Sequence, residues 1–257
     1  MDTLEKRFLN LPVETKYLVI VLIKHKEYYN LQMIKNYLGT IMHNKIGIIG
    51  SGTVGQTLAS GFIKHGFEVM IGTNNTLKYN DLKEKLDDKI KIGSFNDTAK
   101  FGEIVVLATK GSASEKIIKS LQPGVLSDKT IIDATNPIAD IPPVNGVVKY
   151  FTSHEESLME RLQKLMPDAH FVKSFSCIGS AFMVNPDFHG VKPSMFFCGD
   201  NEQSKSEVKL ILEKFGFEPE DMGGAEAARA IEPLAMLWCI PGFRSNSWSH
   251  AFKLLKI

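Results

Sequence analysis

The sequence predicts an α/β fold of the Rossmann type: a doubly wound, mostly parallel sheet with a small C-terminal helical appendage. Two observations predict this fold. A glycine-rich turn at residues 50–55 follows a short apolar run and opens a helical pattern. After it, apolar strand-like runs alternate with helical patterns, which is typical of a parallel sheet. The composition, 44% hydrophobic and 23% charged over 257 residues, is that of a globular protein.

The glycine turn has the pattern G-x-G-x-x-G between a predicted strand at residues 45–49 and a predicted helix at residues 56–64. Gly50 allows the tight turn, Gly52 lets a pyrophosphate approach the backbone, and Gly55 lets the helix pack closely on the strand. The amides at the helix start then face the phosphates. A glycine turn without a ligand is the alternative. The predicted pyrophosphate contacts are Gly50, Ser51, Gly52, Thr53, Val54 and Gly55.

The next elements continue the alternation of strands and helices. Apolar runs predict strands at residues 67–72, 90–92, 103–108 and 130–134, and helices are expected at 76–86 and 112–121. Ligands bind outside the carboxyl ends of parallel strands, so the loops at those ends are expected to line one crevice. Beyond the glycine turn, those loops contain the predicted coenzyme contacts Thr73, Asn74, Asn75, Ala108, Thr109, Lys110, Asn136 and Pro137.

The C-terminal half is expected to contain a helix at 154–166, a strand at 170–175, a hairpin-like region up to 195–199 and a helix at 203–215. Two apolar helices, 223–238 and 246–255, should follow, separated by Pro241-Gly242. We divide the chain into an N-terminal extension of unknown role (1–42), a dinucleotide-binding Rossmann domain (43–221) and a C-terminal helical segment (222–257). That last segment is expected at a dimer interface or at the substrate cleft.

Charge and composition exclude several classes of partner. A net charge of +1 argues against nucleic acid or a membrane surface. The apolar run at 17–23 is too short to cross a bilayer and lacks a cleavage site. Because the first predicted strand begins three residues after Met42, residues 1–41 are expected to be an appended segment, or Met42 the natural start. Neither the histidines nor the scattered Cys177, Cys198 and Cys239 have metal-ligand spacing, so no metal and a cytoplasmic protein with reduced thiols are expected.

The loop after the second strand indicates which coenzyme is preferred. NAD sites usually place an acid there, but Thr73-Asn74-Asn75 contains none, so NADP is favoured and NAD is the alternative. Lys78 is the nearest positive charge and is expected to meet the 2′-phosphate, unless it is a solvated helix lysine. Asp133 lies in an apolar run and is expected to have a structural role by binding loop backbone amides. Glu232 is expected to be a buried carboxylate with a partner, and a general-acid role is the alternative.

Taken together, the chain resembles the deazaflavin (coenzyme F-420)-dependent NADP reductases and the related oxidoreductase domain of the six-transmembrane ferric reductases. The resemblance covers residues 45–255 and rests on an ordered series of motifs at 48–55, 69–74, 131–137, 171–176, 197–200 and 228–234. It implies that the glycine loop holds the pyrophosphate. The family's Ser/Thr-Arg pair and following Lys, which hold the 2′-phosphate, fall on Thr73, Asn74 and Lys78, and Asn74 departs from the pattern.

The resemblance also concerns the other end of the crevice. The segment Lys173–Ser176 matches Lys-Ala-Phe-Asn of many relatives, with Ser176 in place of the amide side chain. Ser174 is therefore expected to bind the coenzyme and Ser176 the substrate. Trp238 and Pro241 are candidates for the second wall of the crevice, where an aromatic face suits a flat ring; core packing or a dimer interface is the alternative.

The implied function is an NADP(H)-dependent oxidoreductase that transfers a hydride between nicotinamide and a deazaflavin, a flavin or another small acceptor. Such a step depends on orientation and water exclusion, so no catalytic side chain is expected. A homodimer is expected. A non-catalytic, nucleotide-sensing Rossmann protein is the alternative, and a reductase acting on an imine or carbonyl is a weaker one because no proton donor stands out.

Overall fold

The computed structural model describes residues 43–75 and 77–257, and Lys45–Ile257 form one compact unit. The extension predicted at 1–42, including the apolar run at 17–23, lies outside the described residues. None of the described helices has the length and hydropathy that a membrane span requires.

A six-stranded parallel sheet carries the fold, in the order β3-β2-β1-β4-β5-β6. This order has its reversal point between β1 and β4, as in doubly wound nucleotide-binding folds. The prediction of a mostly parallel Rossmann-type sheet is confirmed. Its strands are β1 (Lys45–Ile49), β2 (Glu68–Gly72), β3 (Lys91–Gly93), β4 (Ile104–Leu107), β5 (Thr130–Asp133) and β6 (His170–Lys173).

Helices cover both faces of this sheet, which is why the residues of β4 and β5 are buried throughout. One core cluster joins Ile48 of β1 to Leu58 and Phe62, and the other joins Val105 of β4 to Leu162. The α-helices of the described residues are α1 (Thr53–Lys64), α2 (Lys78–Lys85), α3 (Phe95–Phe101), α4 (Gly111–Lys119), α5 (Leu158–Leu165), α6 (Glu202–Lys214) and α7 (Ala228–Ser245).

Helix α3 was not expected from the sequence. It is seven residues long, too short to show a clear helical period, but a capping box defines its start. Ser94 Oγ accepts a hydrogen bond from Asp97 N at 3.1 Å, and the Asp97 carboxylate accepts from Ser94 N at 3.4 Å. The Ser94-x-x-Asp97 spacing was therefore the available signal.

The expected hairpin-like region before residue 199 is reduced to one isolated antiparallel bridge, between Lys173 and Cys198. No described residue between 174 and 193 forms a strand, and β7 (Ser194–Phe197) instead pairs in parallel with β8 (Glu218–Asp221). Helix α6 makes the crossover between these two strands. Phe175, Asn185 and His189 have positive φ angles, so the chain turns repeatedly between the two residues of that bridge.

The prediction of two C-terminal helices is also wrong. Helix α7 runs through Pro233 and Pro241, although each proline removes one amide donor. The helix ends where Asn246 adopts the left-handed conformation, with φ 53°. Residues 247–257 are not helical and lie against β7, where Ser194 N donates to the Phe252 carbonyl at 2.9 Å.

Candidate functional site

Four loops leave the carboxyl ends of β1, β2, β4 and β5, and the parallel pairing of these strands places them along one edge of the sheet. Backbone hydrogen bonds join the loops. Gly50 N donates to the Gly72 carbonyl at 3.2 Å, Ala108 N to the Ile49 carbonyl at 2.9 Å, and Ala134 N to the Leu107 carbonyl at 3.1 Å. The predicted contacts in the glycine turn and in the loops after β2, β4 and β5 therefore share one edge.

The glycines of the turn occupy different environments. Gly50 has φ +124°, and a Cβ there would lie 2.3 Å from the Ala108 carbonyl oxygen. A Cβ at Gly55 would lie 2.0 Å from the Gly50 carbonyl oxygen, so α1 packs directly on the turn. Nothing lies within 4 Å of a Cβ at Gly52. The turn is thus closed on the protein side and open where a pyrophosphate would approach.

The start of α1 completes this cradle. Gly52 is the N-cap and supplies no side-chain cap, and the first turn contains no acidic residue. Thr53 is exposed, Ser51 is buried, and the Ser51 carbonyl accepts a hydrogen bond from Gln56 Nε2 at 2.9 Å. The helix dipole and the uncapped amides favour an anion at this position.

The loop after β2 presents polar groups without a carboxylate. Asn74 Oδ1 accepts from Phe95 N at 3.2 Å, which leaves the Asn74 side-chain amide as an exposed donor. Asn75 Oδ1 accepts from Leu77 N at 3.0 Å, and Asn75 N donates to Thr73 Oγ1 at 3.2 Å. Lys78 is exposed in the first turn of α2. This loop offers donors of the kind that a ribose or a 2′-phosphate accepts.

The loop after β4 is already internally bonded. Thr109 Oγ1 and Ser114 Oγ are 2.9 Å apart, and Lys110 Nζ is 2.5 Å from Asp140 Oδ1. A Cβ at Gly111 would lie 1.9 Å from the Asn136 carbonyl oxygen, so α4 begins in direct contact with the loop after β5. Lys110 is therefore paired within the protein instead of pointing freely at a ligand.

The loops after β5 and β6 meet at Asn136. Its Nδ2 donates to the Ser176 carbonyl at 2.8 Å, while its Oδ1 is buried without a protein partner. The hydroxyls of Ser174 and Ser176 are also buried and unpartnered. Buried polar atoms are nearly always hydrogen-bonded, so these three atoms indicate a polar ligand. An amide oxygen that accepts and hydroxyl groups that donate are the kinds of partner that the carboxamide of a nicotinamide requires.

A buried charged cluster lies behind this loop. Lys173 Nζ is 3.0 Å from Asp133 Oδ2 and 3.1 Å from Glu232 Oε1. Asp133 Oδ1 also accepts from Thr135 N at 2.9 Å, and Glu232 accepts from Leu158 N at 3.0 Å. Burial alone would lower the pKa of Lys173, but the charges of Asp133 and Glu232 raise it above its ordinary value. Both carboxylates are thus buried with partners, as expected.

Lys173 is the residue whose importance the sequence did not reveal. A signal was present, because Asp133 and Lys173 are charged residues in the apolar runs of β5 and β6 and are cross-strand partners in the sheet register. Opposite charges in two buried strands indicate an ion pair if the strands are adjacent. The sequence did not predict that β5 and β6 are adjacent in the sheet.

Trp238 is packed more tightly than a free platform would be. It is 9% exposed, its ring stacks on His250 with centroids 5.0 Å apart, and its Nε1 donates to the His250 carbonyl at 2.9 Å. A Cβ at Gly179 would lie 3.0 Å from its ring, so Trp238 borders the loop that contains Ser176. Pro241 is exposed, and its carbonyl accepts hydrogen bonds from Ser245 and Ser247. No described contact brings Pro241 to the loops at the sheet edge.

The three cysteines are free thiols. Burial raises the pKa of Cys177 and Cys198 to about 12, so both stay protonated and unreactive near neutral pH. Within residues 43–75 and 77–257, no group of three His, Cys, Asp or Glu side chains is arranged to hold a metal ion.

Curated relatives match most of this chain. Metalloreductase STEAP3 of Rattus norvegicus is 28% identical over 201 residues, and metalloreductase STEAP2 of Homo sapiens is 25% identical over 191 residues. These alignments cover 77% and 74% of this chain. The chain spans well under half the length of both relatives, 38% and 36% respectively.

Solved structures show the same architecture. A protein from Arthrobacter sp. FB24, described as an F420-dependent NADP reductase, is 26% identical with a TM-score of 0.77 and covers 83% of this chain and 100% of its own. An imine reductase from Aspergillus terreus, 17% identical with a TM-score of 0.58, covers 79% of this chain and 63% of its own and shares the fold.

The sequence model of a known family matches the part of the chain that forms β1 to β5 and the loops described above. Its description is "NADP oxidoreductase coenzyme F420-dependent", and the match covers residues 45–137. The predicted resemblance to this family and to ferric reductase domains is confirmed. Residues 45–137 therefore resemble the coenzyme F420-dependent NADP oxidoreductase family, within a Rossmann-type fold.

Proposed function

We propose that this protein is an NADP(H)-dependent oxidoreductase that moves a hydride between nicotinamide and a small acceptor with a flavin-like ring. The observation on which the proposal rests is that two features lie on the same edge of the sheet. One is the open approach at Gly52, and the other is the group of unpartnered polar atoms on Asn136, Ser174 and Ser176. The match of residues 45–137 to the sequence model of an NADP oxidoreductase family supports it.

In this proposal, different loops along the sheet edge bind different parts of the coenzyme. The residues 50–55 and the amides of α1 bind the pyrophosphate, and Thr73, Asn74 and Lys78 bind the 2′-phosphate. Asn136 Oδ1 accepts from the carboxamide amine, and a serine hydroxyl donates to its oxygen. When bound, the nicotinamide supplies the hydride chemistry. The protein residues orient the ring and exclude water, and no side chain is required to transfer a proton.

For the acceptor we propose a deazaflavin or a flavin. The support is the description of the related Arthrobacter protein and the family description, both of which name F420. The position of Trp238 beside the Ser176 loop fits an aromatic neighbour of a flat ring. Because Trp238 is covered by His250, its ring edge, and not its face, would border the acceptor.

The test is a titration of the purified protein with NADPH and with NADH, followed by nicotinamide fluorescence, and then addition of F420 or FMN. We expect tighter binding of NADPH and oxidation of the bound coenzyme by one of the two acceptors. Binding without turnover by any acceptor would favour a nucleotide-sensing role. Absence of binding by either coenzyme would contradict the proposal.

We also propose that the protein works in the cytoplasm. The support is that Cys177, Cys198 and Cys239 are all free thiols, which is typical of reducing compartments. Immunodetection in separated cell fractions checks this, and recovery with membranes or secreted material would contradict it.

A further inference from the structure

The buried ammonium of Lys173 is joined to the cleft through a backbone carbonyl. Besides its two carboxylate partners, Lys173 Nζ donates to the carbonyl of Thr135. An ammonium has three N–H donors, so these three acceptors saturate it. The side chain is fully buried and cannot touch a ligand in the cleft.

The Thr135 carbonyl belongs to the peptide that leads into Asn136. Asn136 presents the unpartnered Oδ1, and its Nδ2 is 2.8 Å from the Ser176 carbonyl. Lys173 itself is three residues before Ser176 in the chain. Lys173 is therefore linked to Asn136 through its hydrogen bond to the Thr135 carbonyl. It is linked to Ser176 through the backbone of residues 173–176.

Glu232 extends this connection to two helices. It lies on α7 and faces Lys173, and its carboxylate accepts the amides of Leu158 and Met159 at the start of α5, at 3.0 and 3.1 Å. The position of the ammonium thus depends on α5 and α7 as well as on β5.

We infer that Lys173, held by Asp133 and Glu232, is a positioning residue that sets the nicotinamide end of the cleft through the Thr135–Asn136 peptide. The inference rests on the proposed function, because it presumes that this end of the cleft receives the nicotinamide. It predicts that loosening the cluster affects ligands that reach Asn136 and spares ligands that stop at the glycine turn.

The substitution Glu232→Gln tests this directly. The glutamine keeps the shape but has only one acceptor oxygen, and its NH₂ group cannot accept from the ammonium or from an amide. With the NH₂ group in place of Oε1, the oxygen still accepts from Leu158 N, but Lys173 and Met159 N lose their acceptor. Arg229→Gln is the matched control. Arg229 joins the same two helices through Glu160, with Arg229 Nε 2.9 Å from Glu160 Oε2, and none of its described contacts is with a cleft loop.

Titration calorimetry on the full-length chain measures the Kd of two ligands. One is NADPH, and the other is adenosine 2′,5′-bisphosphate, which lacks the nicotinamide. For Glu232→Gln we expect the Kd of NADPH to rise about tenfold and kcat with the best acceptor to fall about 10- to 100-fold, the usual cost of misplacing a reacting group. The Kd of the bisphosphate should stay unchanged, and Arg229→Gln should change neither constant.

Equal weakening of both ligands by Glu232→Gln would show a general structural role and overturn the inference, as would no change in either. If the wild-type protein binds neither ligand, the proposed function itself fails. If Glu232→Gln does not fold, the combined variant Lys173→Met, Asp133→Asn and Glu232→Gln removes all three charges together and avoids an unpaired buried ion. Unchanged NADPH affinity in that variant would equally overturn the inference.

Discussion

At the scale of single residues, the glycines of the turn are required for different physical reasons. A Cβ at Gly55 would overlap the Gly50 carbonyl oxygen, at 2.0 Å, whereas a Cβ at Gly52 would meet nothing within 4 Å. Gly52 also has an extended backbone, with φ −77° and ψ −177°, that any residue can adopt. Stability and ligand binding are therefore separable within one motif.

We predict that Gly52→Ala weakens NADPH binding while leaving stability unchanged, because the added methyl group occupies the space for the pyrophosphate. The Kd should rise about tenfold or more, and the free energy of unfolding should change by less than about 0.5 kcal/mol. Gly55→Ala should instead lower the free energy of unfolding by about 1–3 kcal/mol through overpacking. Denaturant unfolding and fluorescence titration measure the two effects; a large loss of stability in Gly52→Ala would contradict the assignment.

Lys78 tests the coenzyme preference. Lys78→Ala should raise the Kd of NADPH about tenfold and leave that of NADH unchanged, because only NADPH carries the 2′-phosphate that the ammonium would meet. Lys83→Ala is the control, since Lys83 lies on the same helix near the Tyr79 ring, 5.6 Å from its centroid. Equal effects of the two substitutions would indicate a nonspecific loss of charge.

At the scale of elements, α5 is defined by its cap. Ser157 and Glu160 form a capping box, and Arg229 of α7 binds the Glu160 carboxylate. Hydrogen bonds from Arg229, and then from Ser157, lower the pKa of Glu160 from 4.5 to about 2 against the opposing effect of burial. The first turn of α5 is thereby attached to α7, beside the amides that bind Glu232.

This attachment should depend on pH. The pKa of Glu160 is lower in the folded state, so its stabilisation is complete above pH 4.5 and is lost as the pH falls toward 2. Glu160→Gln should therefore cost about 1 kcal/mol of unfolding free energy at pH 7, the usual size for a cap. The difference from wild type should shrink below about pH 4.5. Urea unfolding of both proteins between pH 7 and pH 3 checks this, and a constant difference would contradict it.

The tail after α7 depends on a glycine. A Cβ at Gly242 would lie 2.2 Å from the ring of Trp248, so that ring rests directly on the helix backbone. Trp248 also packs against Trp238, with ring centroids 5.5 Å apart. Both tryptophans of the chain therefore lie where the tail docks.

We predict that Gly242→Ala detaches the tail and exposes both indole rings. The tryptophan emission of the native protein should shift to longer wavelength, and unfolding should become easier by about 1–3 kcal/mol. Ser245→Ala, whose hydroxyl only donates to the Pro241 carbonyl, is the control. An unshifted emission spectrum in Gly242→Ala would show that the tail does not depend on this contact.

At the scale of the whole molecule, the C-terminal helix leaves apolar side chains on the surface. Leu237 is 56% exposed and Phe243 49%, and the adjoining turn adds Val144 at 72% and Val147 at 42%. The turn contacts α7, because a Cβ at Gly146 would lie 2.8 Å from Arg244 Cγ. We propose that this surface is buried in a homodimer, since exposed apolar patches commonly mark interfaces.

Light scattering at micromolar concentration tests the proposal. The wild-type protein should have the mass of a dimer, and Leu237→Glu should convert it to a monomer because an interface would bury the new charge. Leu210→Glu, on an exposed position of α6 at 37%, is the control and should leave the dimer intact. A wild-type protein with the mass of a monomer would contradict the proposal of a homodimer.

The sequence by itself determined the features that depend on short stretches of chain. The glycine turn between strand and helix, and the apolar runs of β1, β4 and β5, have local causes, namely turn sterics and burial on both faces. The parallel sheet followed from their alternation, and so did the edge at which the loops gather. The assignment to the family rests on the same local motifs.

Only the tertiary structure decided the features that join distant residues. Lys173 and Asp133 are 40 residues apart, and Glu232 is 74 residues from the α5 amide of Leu158, so no periodicity within one segment could relate them. The sequence predicted two helices where the structure has the single helix α7 followed by a non-helical tail. Prolines normally interrupt a helix, yet α7 continues through Pro233 and Pro241. The turn at Asn246 and the contact of Trp248 with Gly242 arise only after folding.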